Sequence, residues 1–201
     1  MTKSRPQQLP PMLSGSVGGR QPTINRSCRN CILDRFIRGC LTSSCKKDQG
    51  SRRVASWMSA VERAASIRWP EAQLIGVDPA KEMVSQANRL CPGAAFKLAP
   101  AELLPLPDES ADIVLSSISF HHWADQKKGL REIARVLRPG GLFCLADHTM
   151  LLSKLWSERV KTRRQIRALM MGAGLAVRKC QRLPVRFVLI TLAQKGPSGA
   201  S

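Results

Sequence analysis

The sequence contains no tyrosine, and aromatic residues make up only 4% of its 201 residues. Proteins that hold single-stranded nucleic acid by stacking interleave aromatic with basic side chains, and this composition argues against such a platform. No apolar run reaches the roughly 20 residues that a membrane-spanning helix requires. Residues 1–19 also lack the apolar stretch of a secretory signal. We therefore expect a cytoplasmic protein with no membrane span.

Acidic residues are scarce at both ends of the chain. Residues 1–68 carry 13 Lys and Arg against three acids, residues 69–150 carry eight against ten, and residues 151–201 carry 11 against one. The net charge of +18 therefore lies in two basic flanks around a nearly neutral middle. Basic flanks are able to contact phosphates. We favour a neutral catalytic core with basic ends, and a nucleic-acid partner is the less favoured alternative.

Four cysteines crowd the N-terminal quarter of the chain, at Cys28, Cys31, Cys40 and Cys45. Four thiolates at such spacings are one way to hold zinc. Neither pair has a glycine-containing knuckle, and no histidine accompanies them, so we predict no metal site. Residues 1–50 are expected to be a disordered or atypical basic segment.

Between residues 69 and 195, short apolar runs alternate with helical segments. The expected strands are residues 74–77, 95–98, 113–115, 142–146, 175–180 and 186–192. The expected helices are residues 79–90, 125–137 and 161–171. Apolar residues from Val54 to Ile67 recur at helical spacing and predict one more helix, up to Arg68. This alternation predicts an α/β domain over residues 51–195 with a mainly parallel sheet, followed by a tail over residues 196–201.

The first of these strands ends in an acid, Asp78. Ligands of open α/β sheets bind at the carboxyl ends of the strands, where a carboxylate can accept both hydroxyls of a ribose. Asp before Pro79 and Ala80 is equally typical of a helix N-cap. The residue by itself does not separate the two interpretations.

Residues 101–143 carry a more specific pattern. Ala101-Glu102 precedes a Leu-Pro-Leu-Pro-Asp run and the strand after Asp112; His121-His122 follows, and then a helix that ends in Arg135-Val-Leu-Arg-Pro-Gly-Gly. In order and spacing this closely resembles the class I S-adenosylmethionine-dependent methyltransferases of the broad type 11 group, which includes ubiquinone and menaquinone methyltransferases. The resemblance covers about residues 69–195. It implies a Rossmann-like methyltransferase sheet, mainly parallel with an antiparallel last strand.

The resemblance also implies the cofactor, S-adenosyl-L-methionine, and a set of residues around it. Asp78 matches the acid that holds the ribose. His121 matches a position at the border of the pocket, where it is the candidate catalytic base. Asp147 and His148 end the fifth strand and are expected to face the acceptor. The remaining cofactor-binding positions are Pro79 and Met83 on the adenine, Ala101 and Glu102 at the adenine edge, and Ser116 and Ser117 beside the methyl donor.

One part of the family pattern is absent from the sequence. The family's first strand ends in an acid and a Gly-x-Gly-x-Gly loop, which lets the backbone approach the methionine end of the cofactor. No such loop precedes Asp78. We therefore expect the first strand of the sheet to be missing or atypical.

A shifted reading frame offers an explanation for this gap. Read one base out of frame, the codons of Trp57 and Met58 contain GAT, which encodes aspartate. The neighbouring codons permit Arg-Arg-Val-Leu-Asp-Val-Gly-Cys-Gly-Thr-Gly, which is similar to the missing strand and loop. We therefore hypothesise that the residues before about Trp69 derive from a frameshift.

Three functions remain open from the sequence. The first is methyl transfer from the sulfonium of S-adenosylmethionine to a small-molecule acceptor. The second is an inactive, truncated methyltransferase remnant. The third is a basic nucleic-acid-binding protein or an RNA methyltransferase, which predicts strong salt dependence of binding.

Overall fold

The computed structural model of the chain describes residues 53–57, 70–149, 159–182 and 188–197. Within these ranges, seven strands form one sheet. The strands are β1 (Arg53–Trp57), β2 (Gln73–Asp78), β3 (Ala95–Leu98), β4 (Ala111–Ser117), β5 (Leu137–His148), β6 (Leu175–Arg182) and β7 (Val188–Lys195). The helices are α1 (Lys81–Leu90), α2 (Gln126–Val136) and α3 (Arg163–Gly172), with a 3-10 turn over Phe120–His122.

The strand order is β3-β2-β1-β4-β5-β7-β6. Strands β1 to β5 pair in parallel, and β7 runs antiparallel to both β5 and β6. This confirms the predicted α/β class with a mainly parallel sheet and an antiparallel last strand. The carboxyl ends of β1 to β5 therefore meet at one edge of the sheet, where such folds bind ligands.

The core lies around the two central strands β4 and β5. Val114, Leu115 and Phe143 have no exposed surface, and both strands are buried along most of their length. A strand covered on both faces reads as a continuous apolar run rather than an alternating one, which is why these runs were recognisable in the sequence. Helices α2 and α3 add Ile133 and Met170 to the same cluster.

The first strand corrects one sequence-based expectation. Val54 and Trp57 were expected in a helix, but they lie in β1, which pairs in parallel with β2 on one side and β4 on the other. Short apolar runs fit either period, and here the two neighbouring strands satisfy the backbone groups of residues 53–57. The first strand is thus present in the centre of the sheet, and it is atypical in sequence because the family's acid and glycines are absent from it.

The boundary between α2 and β5 also differs from the expected one. The helix ends at Val136 as Pro139-Gly140-Gly141 predicts, but the strand already begins at Leu137 rather than at Leu142. The pairing of β4 with β5 shifts register across this segment, between Ala111 and Ile113. Gly140 adopts φ of +77°, a conformation that suits glycine. The motif therefore forms an irregular start to the strand.

Several expectations fall outside the described residues. They are the disordered segment at residues 1–50 with its four cysteines, the rest of the helix expected up to Arg68, and most of the C-terminal tail. In the parts of the chain that the structure describes, no helix is long and apolar enough to cross a membrane.

Candidate active site

Asp78 and the segment that begins at Ala101 lie side by side at the carboxyl edge of the sheet. Asp78 pairs with Leu98 in the β2–β3 ladder, and its carbonyl accepts a hydrogen bond from the N–H of Ala99 at 3.1 Å. Ala101 follows two residues later and is buried. The two regions that the resemblance assigns to one nucleoside are therefore neighbours.

The carboxylate of Asp78 also stabilises the local turn. Its Oδ1 accepts a hydrogen bond from the N–H of Ala80 at 2.8 Å, just before α1 begins at Lys81. The N-cap of α1 is Ala80, which has no side-chain cap hydrogen bond, so the N-cap interpretation of Asp78 is wrong. Asp78 is half-buried, and its contact with a ribose stays a prediction.

Apolar side chains stand exposed around Asp78. Met83, in the first turn of α1, is 40% exposed, Leu98 is 57% exposed and Leu103 is 67% exposed. Leu98 is the in-register partner of Asp78, so both side chains leave the same face of the sheet. A carboxylate next to exposed apolar groups suits a nucleoside, because the carboxylate accepts hydrogen bonds from ribose hydroxyls and the apolar groups can contact an adenine ring. Pro79, between Asp78 and α1, is exposed at the same place.

Helix α2 holds the segment of residues 101–108 against the sheet. Glu132 accepts a hydrogen bond from the N–H of Leu104 at 2.9 Å. Arg135 donates to the carbonyls of Leu104 and Leu106 at 3.0 and 2.9 Å, and to Asp108. Its Nε and Nη2 both donate to Glu132 at 2.8 Å. The guanidinium of Arg135 therefore links both carboxylate oxygens of Glu132 to the backbone carbonyls of Leu104 and Leu106.

The resemblance assigns Glu102 to the adenine edge, but in the structure its side chain contacts the N-terminus of α2. Its Oε1 accepts a hydrogen bond from the N–H of Asp125 at 2.9 Å, at the N-terminus of α2. Asp125 in turn caps that helix by accepting from the N–H of Lys128. The carboxylate thus links the segment to α2, and a contact of Glu102 with the cofactor stays a prediction.

A second group of predicted residues lies at the end of β4. Ser116 and Ser117 are buried, and the hydroxyl of Ser116 is 2.9 Å from that of Ser119. Ile118 adopts φ of +52° and donates its N–H to the carbonyl of Ala146 at 2.7 Å. A β-branched residue in this region costs about 1–3 kcal/mol, so the surrounding structure must hold it there. The turn leads directly into Phe120–His122.

His121 is the centre of this second group. Its Nδ1 lies 2.7 Å from Oδ1 of Asp147, and its backbone N–H donates to Oδ2 of the same carboxylate at 2.9 Å. Asp147 also accepts from the N–H of His148 at 2.6 Å. The rings of His122 and His148 lie 3.9 and 5.6 Å from that of His121.

The position of Asp147 corrects another expectation. We expected this residue to face the acceptor, but it is only 1% exposed, and its carboxylate is bonded to the turn that carries His121. The link between the two residues was not visible in the sequence because 25 residues separate them. A usable signal was present: a histidine after β4 and an acid at the end of β5 belong to adjacent parallel strands.

The electrostatics of the cluster distinguish its histidines. The hydrogen bond that His121 donates to Asp147 raises the pKa of His121 above its ordinary value, although burial of the ring works in the opposite direction. Burial lowers the pKa of His122, and the positive charge of His121 adds to this effect. His121 is therefore the ring that gains from the neighbouring carboxylate.

The two groups of residues lie on either side of β1. Asp78, Pro79, Met83, Ala101 and Glu102 belong to the β2 and β3 side, whereas Ser116, Ser117 and His121 belong to the β4 and β5 side. The end of β1 at Trp57 pairs with Ser116. A ligand that reaches both groups must pass over the end of β1, which is where the family places its glycine loop. Within the described residues, no cluster of His, Cys, Asp and Glu suits a metal ion.

Comparison with known proteins finds similar sequences and similar folds. A family model for a methyltransferase domain matches residues 51–145. The chain is 42% identical over 81 residues to the uncharacterised methyltransferase YcgJ of Bacillus subtilis, which covers 38% of the chain and 32% of YcgJ. It is 33% identical over 117 residues to the uncharacterised methyltransferase Rv3342 of Mycobacterium tuberculosis, covering 58% of the chain and 45% of that protein. The sequence matches thus span less than half of either relative.

Solved structures of other proteins have a similar fold over most of this chain. The crystal structure of YcgJ superposes with a TM-score of 0.67 at 20% identity, covering 87% of this chain and all of that one. The [4+2]-cyclase SpnF superposes with a TM-score of 0.70 at 15% identity, covering 84% of this chain and 81% of SpnF. The fold is that of the class I, S-adenosylmethionine-dependent methyltransferases, and residues 51–145 are similar in sequence to a methyltransferase domain. Because one neighbour is described as a cyclase, the fold by itself does not specify the reaction.

Proposed function

We propose that this chain transfers a methyl group from S-adenosylmethionine to a small-molecule acceptor. The proposal depends above all on one observation: Asp78 and the segment from Ala101 adjoin each other at the carboxyl edge of a parallel sheet. The carboxylate of Asp78 would accept the ribose hydroxyls. Met83 and Pro79 would line the adenine, with Ala101 and Glu102 at its edge.

The remaining candidates belong to the reaction side of the pocket. Ser116 and Ser117 would lie beside the methyl donor at the end of β4, and His121 would serve as a base. The bound cofactor supplies the activated methyl group, so the protein mainly aligns donor with acceptor and excludes water. The buried, hydrogen-bonded surroundings of Ser116 support a rigid wall there.

Calorimetric titration with S-adenosylhomocysteine tests the proposal. We expect micromolar binding to the wild-type chain. Asp78→Asn keeps an oxygen for the N–H of Ala80, but loses the charge that strengthens hydrogen bonds to the ribose. A hydrogen bond to a charged group contributes about 1.5–3 kcal/mol, so binding should weaken roughly 10- to 100-fold.

Asp112→Asn is the matched control for this measurement. Asp112 lies on β4 at the opposite end of the sheet, where it bonds Arg138 at 2.9 Å. We expect this variant to bind like the wild type. Equal affinity of Asp78→Asn and the wild type would contradict the proposed ribose contact, and no binding to any of the three folded proteins would contradict the proposed activity.

The inactive remnant is supported by a different observation. β1 ends in Ser56-Trp57, without the acid and glycine loop that approach the methionine end of the cofactor. On this alternative the fold persists, but the cofactor binds weakly or not at all. Wild-type affinity for S-adenosylhomocysteine therefore separates an active enzyme from a remnant.

A polyanionic partner has support from the charge of the C-terminal part. The described residues 159–182 and 188–197 carry nine Lys and Arg and no acid. Several of these cations already have partners; for example, Lys195 bonds Glu109, and Arg178 bonds Gln194. If the substrate is a nucleic acid, the logarithm of the association constant for RNA should fall steeply as the logarithm of the salt concentration rises. We favour the small-molecule acceptor, and fluorescence anisotropy with a labelled RNA across a salt series would decide between them.

A further inference from the structure

The chain has three histidines, and all of them lie around one buried carboxylate. His121 and His122 belong to the 3-10 turn after β4, and His148 ends β5 beside Asp147. Asp147 is 1% exposed and accepts three hydrogen bonds, from Nδ1 and N–H of His121 and from N–H of His148. These bonds satisfy the oxygens of a carboxylate that would be costly to bury without partners.

This contact determines which nitrogen of His121 is basic. An ionised carboxylate only accepts hydrogen bonds, so Nδ1 of His121 carries the proton that points at Asp147. In the neutral ring the lone pair then lies on Nε2. Among the described residues, none forms a hydrogen bond with Nε2. The imidazole is only partly exposed, with 19% of its side-chain surface accessible.

The turn that carries His121 is held from other directions as well. The buried side chain of Gln126, in the first turn of α2, donates to the carbonyl of Phe120 at 3.0 Å and to that of Arg159 at 2.8 Å. The ring of Phe120 packs edge-on against Trp123 at 5.0 Å. The orientation of His121 is thus set before any substrate binds, as a catalytic base requires.

We propose that Asp147 positions His121 as a general base and that the acceptor is a hydroxyl compound, such as a phenol. This inference rests on the proposed methyltransferase function. In the step, the acceptor oxygen forms a bond to the methyl carbon while the sulfur–methyl bond breaks, and sulfur keeps the electron pair as a neutral thioether. The hydroxyl proton passes to Nε2 of His121, and the imidazolium is stabilised by Asp147.

A hydroxyl acceptor fits this arrangement better than an amine or a thiol. A neutral amine attacks with its lone pair and loses its proton afterwards, whereas a thiol ionises readily near neutral pH. A hydroxyl is weakly nucleophilic until its proton is removed during the attack. A base with a carboxylate behind it therefore has its largest effect on a hydroxyl.

The charged and titratable groups around His121 are consistent with this role. Asp147 faces it from β5 and raises the pKa of His121, which favours proton acceptance. His148 lies on the same strand, His122 lies in the same turn, and Arg159 contributes positive charge before α3. The acid limb of the rate profile should then follow His121, with activity rising as pH increases through its pKa.

The first test follows the histidines by NMR in the full chain and needs neither cofactor nor acceptor. Three Cε1–H signals are expected, one from each ring, and His122→Gln and His148→Gln assign them by loss. We expect Asp147→Asn to lower the pKa of His121, because its largest raising contact loses its charge. Asp112→Asn is the matched control and should leave this pKa unchanged. A His121 pKa that does not respond to Asp147→Asn would overturn the positioning role.

The second test measures transfer of a labelled methyl group from S-adenosylmethionine to panels of phenols, aliphatic alcohols, anilines and thiols. We expect methylation among the phenols or alcohols, with kcat about 100-fold lower in His121→Gln and KM little changed. Asp147→Asn should lower kcat and move the acid limb to lower pH. Binding of S-adenosylhomocysteine without transfer to any hydroxyl compound would overturn the acceptor class alone, whereas absence of that binding would overturn the proposed function.

Discussion

Gly129, near the start of α2, lies against the ring of Trp123, which precedes that helix. A Cβ built at Gly129 would lie 2.5 Å from Cε3 and 2.8 Å from Cζ3 of Trp123, closer than real Cβ atoms approach. Trp123 is 6% exposed and also contacts Phe120, the first residue of the turn that carries His121. A glycine inside a helix is otherwise unfavourable, so at this residue close packing outweighs helix propensity.

Gly129→Ala should therefore destabilise the protein although alanine favours helices. Overpacking costs about 1–3 kcal/mol, and the gain in helix propensity offsets up to about 1 kcal/mol of it. We expect a net loss of roughly 1–2 kcal/mol in the free energy of unfolding, measured by urea denaturation. Gly172→Ala is the control, because nothing lies within 4 Å of a Cβ at Gly172 in α3. A variant Gly129→Ala as stable as Gly172→Ala would contradict this account.

At the scale of elements, the contact between α2 and the segment of residues 101–108 determines one wall of the site. The segment has little regular structure, and Arg135 and Glu132 satisfy three of its backbone groups, at Leu104 and Leu106. The neighbouring carboxylates of Glu132 and Asp108 hold the pKa of Arg135 above its ordinary value. A guanidinium presents five donors in a rigid planar fork, whereas an ammonium has three donors on a flexible stem.

Arg135→Lys should consequently be costly even though the charge is retained. We expect a loss of about 2 kcal/mol in unfolding free energy, because two loop carbonyls and an oxygen of Glu132 lose their donors. Binding of S-adenosylhomocysteine should weaken as well, since the wall beside Asp78 is loosened.

Arg138→Lys is the control for Arg135→Lys. The side chain of Arg138 is 46% exposed and pairs with Asp112 at the opposite end of the sheet. Exposed ion pairs contribute about 0–1 kcal/mol, so this variant should stay within about 0.5 kcal/mol of the wild type. Similar losses in the two variants would contradict a special role for Arg135.

At the scale of the whole molecule, β1 is the element that joins the two halves of the site. It lies between β2 and β4, and it ends at Trp57 beside Ser116. The aspartate of the shifted frame straddles the codons of Trp57 and Met58. The position of β1 therefore agrees with the frameshift hypothesis, because that aspartate would stand at the carboxyl end of the central strand.

Restoring the frame between codons 53 and 64 tests this hypothesis directly. One inserted base before codon 53 and one deleted base after codon 64 should produce an aspartate and a glycine loop after β1. We expect the restored protein to bind S-adenosylhomocysteine at least 10-fold more tightly than the original chain, about 1.4 kcal/mol, because backbone N–H groups become available to the methionine end. DNA that does not spell the loop in the shifted frame, or unchanged affinity in a folded restored protein, would contradict it.

Much of the fold was determined by the sequence alone. Strands β2 to β5 and the helices between them carry short apolar runs, helical periods and breakers such as Pro139-Gly140-Gly141, and these are local signals. The same holds for Asp78 and the pattern from Ala101, whose order and spacing indicated the methyltransferase class before any contact was known. Ser116, Ser117 and His121 were assigned through the family resemblance, by their positions at and just after the end of β4, and their roles stay predictions.

Other features were decided only by the tertiary structure. Residues 53–57 have a helical period, but pairing with β2 and β4 makes them a strand, since backbone hydrogen bonds from both sides outweigh a weak local preference. The contact of Asp147 with His121, and that of Arg135 with the carbonyls of Leu104 and Leu106, join residues that are far apart in the chain. Such pairs leave no periodic trace, because they arise where the carboxyl ends of neighbouring strands and the helix packed on them meet in space.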